Sequence, residues 1–121
     1  MGSWEIIETT EYAQWVEGLS LAERKAINHK VTLLKVLGPN LHRPHADHVK
    51  GSQFPNMKEL RVTGRTPLRI LFCFDPRRRA VLLVGGNKST DNSWYLRMIG
   101  RADELMNQYL KGIQNDEIHE I

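Results

Sequence analysis

Cysteine is almost missing from this 121-residue sequence: Cys73 stands alone. A single thiol excludes an intramolecular disulfide and a cysteine metal cluster, and it fits a reducing compartment. Placed between Phe72 and Phe74, it reads as a small buried hydrophobe. Long apolar runs are lacking too. No uninterrupted stretch approaches the ~20 residues of a membrane helix, and the opening "MGSWEIIETTEY" has no basic region followed by an apolar one. Gly2-Ser3 hints at N-myristoylation, but that pattern asks for Ser or Thr where Ile6 stands. The expectation is a soluble, cytoplasmic protein with no membrane contact. Internal repeats and low-complexity segments are absent as well, so the length and the 40% hydrophobic, 26% charged make-up point to one globular domain over residues 1–121.

Acidic residues are scarce in one region. Residues 43–101 hold twelve Lys/Arg against four Asp/Glu, whereas residues 1–42 hold four against five and residues 102–121 hold one against five. A basic block between neutral and acidic flanks is the footprint of an anion-binding surface, and equally that of a solvated basic face.

The pattern of elements comes next. "SWEII" is a short strand candidate. Thr10 can cap a helix carrying Tyr12, Trp15, Val16 and Leu19. Ser20 and Glu23 form a capping box for a second helix with Leu21, Ala26, Ile27, Val31, Leu34 and Leu37 on its apolar stripe, closed by Gly38-Pro39. Residues 10–37 thus read as a helical hairpin. The segment "NLHRPHADHVKGSQFPN" has no sustained period and reads as a loop, followed by strands over 57–63, 67–75 and 80–86. A helix is expected from Asp91 to about Ile113, with Gly100 as a weak point and a flexible tail from about 114. The fold class expected is α+β: an N-terminal helical hairpin on a small antiparallel sheet, with a C-terminal helix.

The first two of these strands set a constraint on each other. In "LRILFCFD", Leu68, Ile70, Phe72 and Phe74 share one face while Arg69, Leu71, Cys73 and Asp75 share the other. The loop Gly64-Arg65-Thr66 pairs 62 with 68, 60 with 70 and 61 with 69, which sets apolar against apolar; a slip of one residue would oppose Leu60 to Arg69. Arg61 and Arg69 then stand side by side, at a cost of up to ~1 kcal/mol. Either a carboxylate such as Glu59 offsets it, or an anionic ligand gripped by two guanidinium forks does.

With the arginines placed, the stretches "LHRPHADHVKGSQFPNMKELRV", "LRILFCFDPRRRAVLLVGGNKS" and "WYLRMIGRADELMNQYL" resemble the HigB-like branch of the RelE/ParE toxin superfamily, the toxic halves of bacterial type II toxin–antitoxin pairs, often phage-associated. The resemblance spans residues 4–111. It rests on ordered elements: Arg-Pro-x-x-Asp, Lys-Gly, the Lys-Glu-Leu-Arg and Arg-Ile-Leu-Phe strands, the Gly-Gly-x-Lys turn and the Trp-Tyr helix start. It implies a RelE-like α+β fold and metal-free cleavage of mRNA on the translating ribosome, with no cofactor. The implied partners are mRNA, the ribosome and a cognate antitoxin bearing a helix-turn-helix domain, in a toxin–antitoxin hetero-oligomer. Arg61 and Arg69 match the basic strand positions that hold the scissile phosphate, Lys88 the basic residue after the last strand, Tyr95 the aromatic at the start of the final helix, and Lys58 a strand lysine. One departure stands out: Asn87 occupies a position where the family commonly has Asp, keeping the acceptor and losing the charge. A non-catalytic reading stands beside the nuclease for that reason, either a relative that binds another target such as DNA gyrase or an inactive antitoxin-binding module.

Internal transfer at a phosphodiester needs a base for the 2′-hydroxyl, positive charge on the phosphate and an acid for the leaving 5′-oxygen. Arg61 and Arg69 suit the second role only, because guanidinium stays protonated. Lys88 in a like-charged cluster is a candidate for proton transfer, with Tyr95 and Glu59 competing. For substrate binding, Lys58 and Arg65 add charge, Trp94 or Tyr95 offers a stacking face for a base, and Arg77, Arg78 and Arg79 form a hairpin tip suited to ribosomal RNA phosphates. Trp94 reads equally well as a core residue. His42, His45 and His48 lie in a loop without helical spacing or a nearby thiol, and no metal site is expected from them.

Overall fold

The computed structural model describes residues 3–89 and 93–120, with side chains up to residue 113. Among these residues, strands β1 (Glu5–Glu8), β2 (Ala46–His48), β3 (Lys58–Val62), β4 (Leu68–Phe74) and β5 (Arg79–Asn87) form one sheet in the order β1-β5-β4-β3-β2. Helices α1 (Thr10–Glu17) and α2 (Leu21–Leu37) follow β1, and α3 (Trp94–Glu120) ends the described chain. The expected helix start at Asp91 lies outside the described residues, as do the side chains of the tail from 114. The helix runs unbroken through Gly100.

Much of the local pattern is realised. The Ser20–Glu23 capping box is complete in both directions, and Gly38 ends α2 with φ at 54° before a short 3-10 turn at Gly38–Asn40. The β3–β4 register is Val62–Leu68, Leu60–Ile70 and Arg61–Arg69. The α1 cap is Thr9, not Thr10: its hydroxyl accepts from Tyr12 N at 3.0 Å and donates to the Leu83 carbonyl at 2.7 Å, fastening the helix start to β5.

The arrangement differs from the sequence reading in three respects. The strand expected at "SWEII" is present as β1, but it belongs to the main sheet and pairs parallel with β5, from Glu5–Arg79 to Glu8–Leu82, so the sheet begins before the helical pair and is mixed rather than antiparallel. The pair is also not a hairpin packed on itself. The short α1 lies on β5 through Tyr12 and Trp15, and α2 lies on β3. Finally, the expected loop after Asn40 contains β2, which joins β3 antiparallel with Asp47 opposite Glu59.

Both sheet faces are covered. Under α1 and α2, Leu60, Val62, Leu68, Ile70, Phe72 and Leu82 meet Tyr12, Ile27 and Leu34; under α3, Met57, Leu71, Cys73, Val81 and Leu83 meet Trp94, Ala102 and Met106. Cys73 is buried in the second layer, and burial pushes its thiol up to about 11. A bulge serves this layer: pairing passes from Phe72–Leu82 to Leu71–Val84, so Leu83 is skipped and both it and Val84 face α3.

Glycines admit the tryptophans. Gly85 and Gly86 lie within β5 rather than in a turn, and a Cβ on Gly85 would strike the Trp15 ring on one face while a Cβ on Gly86 would come within 2.6 Å of Trp94 Nε1 on the other. Trp4 is seated on Gly38 in the same manner. All three tryptophans of the chain are therefore fixed against backbone.

Candidate functional site

Strand alternation carries Glu59 and Arg61 to the face of β3 that α3 covers, and pairing brings Arg69 of β4 beside Arg61. At this end of the sheet α3 is only beginning. Trp94, locked on Gly86, meets Tyr95 edge-on at 5.0 Å between ring centroids, and Tyr95 is aimed at β3. Its hydroxyl donates to Glu59 Oε1 at 2.5 Å.

Glu59 is the hub. Its side chain is only 5% exposed; Oε2 accepts from Arg61 Nε at 2.9 Å, and Oε1 lies 3.8 Å from Arg69 Nε, beyond hydrogen-bonding reach. Arg69 Nε is consequently buried without a hydrogen-bond partner, while its NH1 donates to the Leu68 carbonyl at 2.9 Å. An unpaired guanidinium N–H in a buried place is costly, and an incoming anion can satisfy it. Burial, then the bond to Glu59, push the Tyr95 hydroxyl up to about 12, so it is a donor at neutral pH. The hydrogen bond to Glu59 also raises the Arg61 pKa, which keeps the guanidinium charged.

A second carboxylate approaches from β2. Asp47 Oδ2 accepts from Arg61 NH2 at 3.2 Å and from Arg43 NH2 at 2.7 Å, while Oδ1 accepts from His48 N at 2.9 Å. The Arg43 hydrogen bond leads in holding the Asp47 carboxyl below its ordinary range, against the opposing pull of burial. Beside Tyr95 opens a cleft of about 480 Å³ lined by Arg43, Asp47, His48, Glu59, Tyr95 and Ile99, among others.

The structure brings Arg61, Arg69 and Tyr95 together and separates the rest. Lys58 is on the opposite face: buried, it reaches the Pro39 carbonyl at 3.3 Å and lies 5.8 Å from the Phe74 ring centroid, and burial lowers its pKa. It shares a face with Leu60 and Val62, an alternation visible in "KELRV". Trp94 is 4% exposed and cannot offer a face to a base. Arg65 is exposed in the β3–β4 loop, at the mouth of a groove against the start of α2. Lys88 is exposed just past β5, its N–H donating to the Pro67 carbonyl at 3.2 Å, next to the Arg69 end of β4. Asn87 Oδ1 accepts from Ser89 N at 2.9 Å and from Ser89 Oγ at 2.7 Å, so it is the oxygen that serves the turn.

The arginines of the β4–β5 tip are partly committed elsewhere. Arg79 Nε donates to Asp75 Oδ2 at 2.6 Å, and Arg78, with φ at 61°, lies 4.6 Å over the Trp4 ring. Arg77 contributes its backbone N–H to Asp75 Oδ1 at 2.9 Å. Arg43 and Asp47 form the Arg-Pro-x-x-Asp element of the sequence, which by itself assigns neither of them to this site. The signal that could have found Asp47 was the strand pairing of β2, and three residues are too few to announce a strand. Among the described residues there is no group of three or more His, Cys, Asp or Glu that could hold a metal ion; His45 Nδ1 instead pairs with Lys30 Nζ at 2.8 Å.

A family model for phage-derived Gp49-like proteins matches residues 14–107. The chain belongs to this Gp49-like family. The Gp49-like chain is 40% identical over 106 residues to a candidate toxin of Mycobacterium tuberculosis, HigB3, with 87% of this chain and 92% of that protein covered. It is 40% identical over 99 residues to a second candidate toxin of that organism, HigB2, covering 79% of this chain but only 49% of HigB2. Its fold is similar to that in the archaeal RelE–RelB complex of Pyrococcus horikoshii, at a TM-score of 0.59 with 9% identity, covering 74% of this chain and 99% of that one. These place the Gp49-like chain in the RelE/HigB-type toxin superfamily. Among the described residues no helix is long and apolar enough to cross a membrane.

Proposed function

We propose that this chain is the toxin of a type II toxin–antitoxin pair and acts as a metal-independent endonuclease on mRNA held by the ribosome. The observation that carries the reading is the cross-strand pair Arg61–Arg69 over a buried carboxylate, with Arg69 Nε lacking a hydrogen-bond partner. Two guanidinium groups fixed on a sheet can take the non-bridging oxygens of one phosphate and stabilise the charge that builds there during attack by the neighbouring 2′-hydroxyl.

Glu59 orients the machinery: it fixes Arg61 through Nε and holds the Tyr95 hydroxyl at 2.5 Å. The Tyr95–Glu59 pair, which fronts the cleft, is the group best placed to pass a proton to or from the reacting oxygens, and exposed Lys88 at the β5 end is the second cation able to approach the leaving group. Arg65 and the Arg77–Arg79 tip supply outlying contacts to ribosomal RNA phosphates. A cognate antitoxin is supported by the 40% identity to HigB3 and by the resemblance to a toxin solved with RelB; a helix-turn-helix domain on that partner rests on the sequence resemblance alone.

The test is a reconstituted translation reaction with wild type and Arg69→Ala, both checked for folding by circular dichroism. Cut transcripts with wild type and intact transcripts with the variant support the reading. Intact mRNA with both proteins, alongside arrest of DNA supercoiling by gyrase, would replace it with the gyrase-binding alternative.

A further inference from the structure

Resting on the nuclease reading of the same site, we propose that Asp47 is a built-in stand-in for the substrate phosphate, a latch that an RNA phosphodiester must displace from Arg61. The geometry of Arg61 carries the argument. Its Nε is held at 2.9 Å by Glu59, a buried residue of its own strand, and this bond fixes the plane of the guanidinium. Its outward NH2 is satisfied by Asp47 at 3.2 Å, the longest hydrogen bond that this carboxylate accepts. A carboxylate and a phosphate offer the same thing to a guanidinium fork, a pair of anionic oxygens, so the two compete for one position.

The latch is built to yield. Asp47 sits on the three-residue β2 at the sheet edge, and its stronger partner is Arg43, whose side chain is 73% exposed and able to follow it outward. An exposed ion pair of that kind contributes little to stability, so moving it costs little. When Asp47 leaves, Glu59 still orients Arg61, whose freed NH2 offers a donor to the phosphate with the charge of Arg69 on the paired strand beside it. In the absence of RNA, Asp47 satisfies the outward NH2 of Arg61 that Glu59 does not reach.

The experiment measures binding of a short 2′-O-methyl RNA, which lacks the attacking hydroxyl and is not cut, to wild type, Asp47→Asn, Arg61→Ala and the double variant. Asparagine keeps the acceptor for His48 N and removes the anion. The expected result is about tenfold tighter binding by Asp47→Asn, the worth of one charge-assisted contact, and no gain from that change in the Arg61→Ala background. Unchanged or weaker binding by Asp47→Asn would make Asp47 a support for Arg61 and overturn the latch. An equal gain without Arg61 would also overturn it, since the cause would then be net charge alone. Asp47→Ser is the second variant should the first not fold; if neither folds, Asp47 is structural and the proposal falls. Failure of the nuclease reading would show separately, as intact mRNA in the translation reaction beside an unchanged difference in RNA binding.

Discussion

Two clusters of the same three side-chain types lie beneath α3, and they serve different ends. Toward its C-terminal half, Asp75 gathers Arg79 Nε and Tyr109 Oη at 2.6 Å each and the backbone N–H groups of Arg77 and Arg79 at 2.9 Å. At its start, Glu59 gathers Arg61 and Tyr95 but leaves Arg69 at 3.8 Å. Each cluster leaves one buried guanidinium nitrogen without a partner, Arg79 NH2 in the first and Arg69 Nε in the second. The distinction is charge balance and access. One carboxylate faces one guanidinium at Asp75, whose side chain is 0% exposed, while at Glu59 and Asp47 two carboxylates face the three guanidinium groups of Arg61, Arg69 and Arg43, beside an open cleft. Tyrosine, carboxylate and arginine thus make a balanced, closed staple of the hairpin at Asp75, while at Glu59 the same types leave a cation in surplus where solvent can enter, as the proposed anion site requires.

Removing the surplus cation gives the largest effect expected. Arg69→Ala should lower the rate of mRNA cleavage by about a thousandfold, the scale of a preorganised donor on a charged transition state. Stability should hardly change, because the substitution also removes the like-charge contact with Arg61. Single-turnover cleavage and urea melts of the same preparations separate the two.

The reverse outcome is expected at the balanced cluster. Asp75→Asn should cost about 3 kcal/mol of stability in urea melts by leaving Arg79 unpaired beneath α3, with cleavage per folded molecule unchanged. Burial pushes the Asp75 carboxyl up, but hydrogen bonds from Tyr109 and Arg79 outweigh it and leave the pKa lowered. A carboxylate depressed on folding contributes stability that is present above its unfolded value, near 4, and lost as pH falls through the lower folded value. Wild type should therefore lose stability below about pH 4 more steeply than Asp75→Asn.

The seat of Tyr95 is tested next. Gly86→Ala places a methyl group against Trp94 and should cost about 2 kcal/mol, the range for forced overpacking, and it should impair cleavage in those molecules that fold. Gly85→Ala, which meets Trp15 on the other face, should cost stability alone.

Those glycines show what could be read from the sequence and what could not. The capping box, the Arg61–Arg69 register and the apolar alternation were legible because each is set by residues a few positions apart. The pairing of β1 with β5, the strand at Ala46–His48 and the covering of the arginine face by α3 depend on contacts between distant segments, and local pattern carries no record of them. Gly85-Gly86 looks like a turn until both faces of β5 are seen to bear an indole. Lys58 was misplaced for a different reason. Its role follows from the resemblance to a strand lysine, whereas its period-two alternation with Leu60 puts it on the face opposite Arg61.

A milder change separates the hydroxyl of Tyr95 from its ring. Tyr95→Phe keeps the edge-on contact with Trp94 and deletes the donor to Glu59, a hydrogen bond to a charged group of about 1.5 kcal/mol, so cleavage should fall by about tenfold. The equivalent Tyr109→Phe removes a donor that Asp75 has three others to replace, and should move only the acid limb of stability.

The smallest effect is expected at Asn87. The turn after β5 asks residue 87 for an oxygen that accepts from Ser89 N and Oγ, and a carboxylate supplies the same oxygen. If the oxygen matters through the turn, Asn87→Asp should leave cleavage within about twofold of wild type, because a partly exposed added charge is largely screened at physiological salt. A rise of a hundredfold would mean that a carboxylate at this position takes part in proton transfer, and that the open cluster at Glu59 lacks a group the reaction needs. The twofold result would leave Glu59, Tyr95 and Lys88 as the groups to test for the acid–base steps of the proposed reaction.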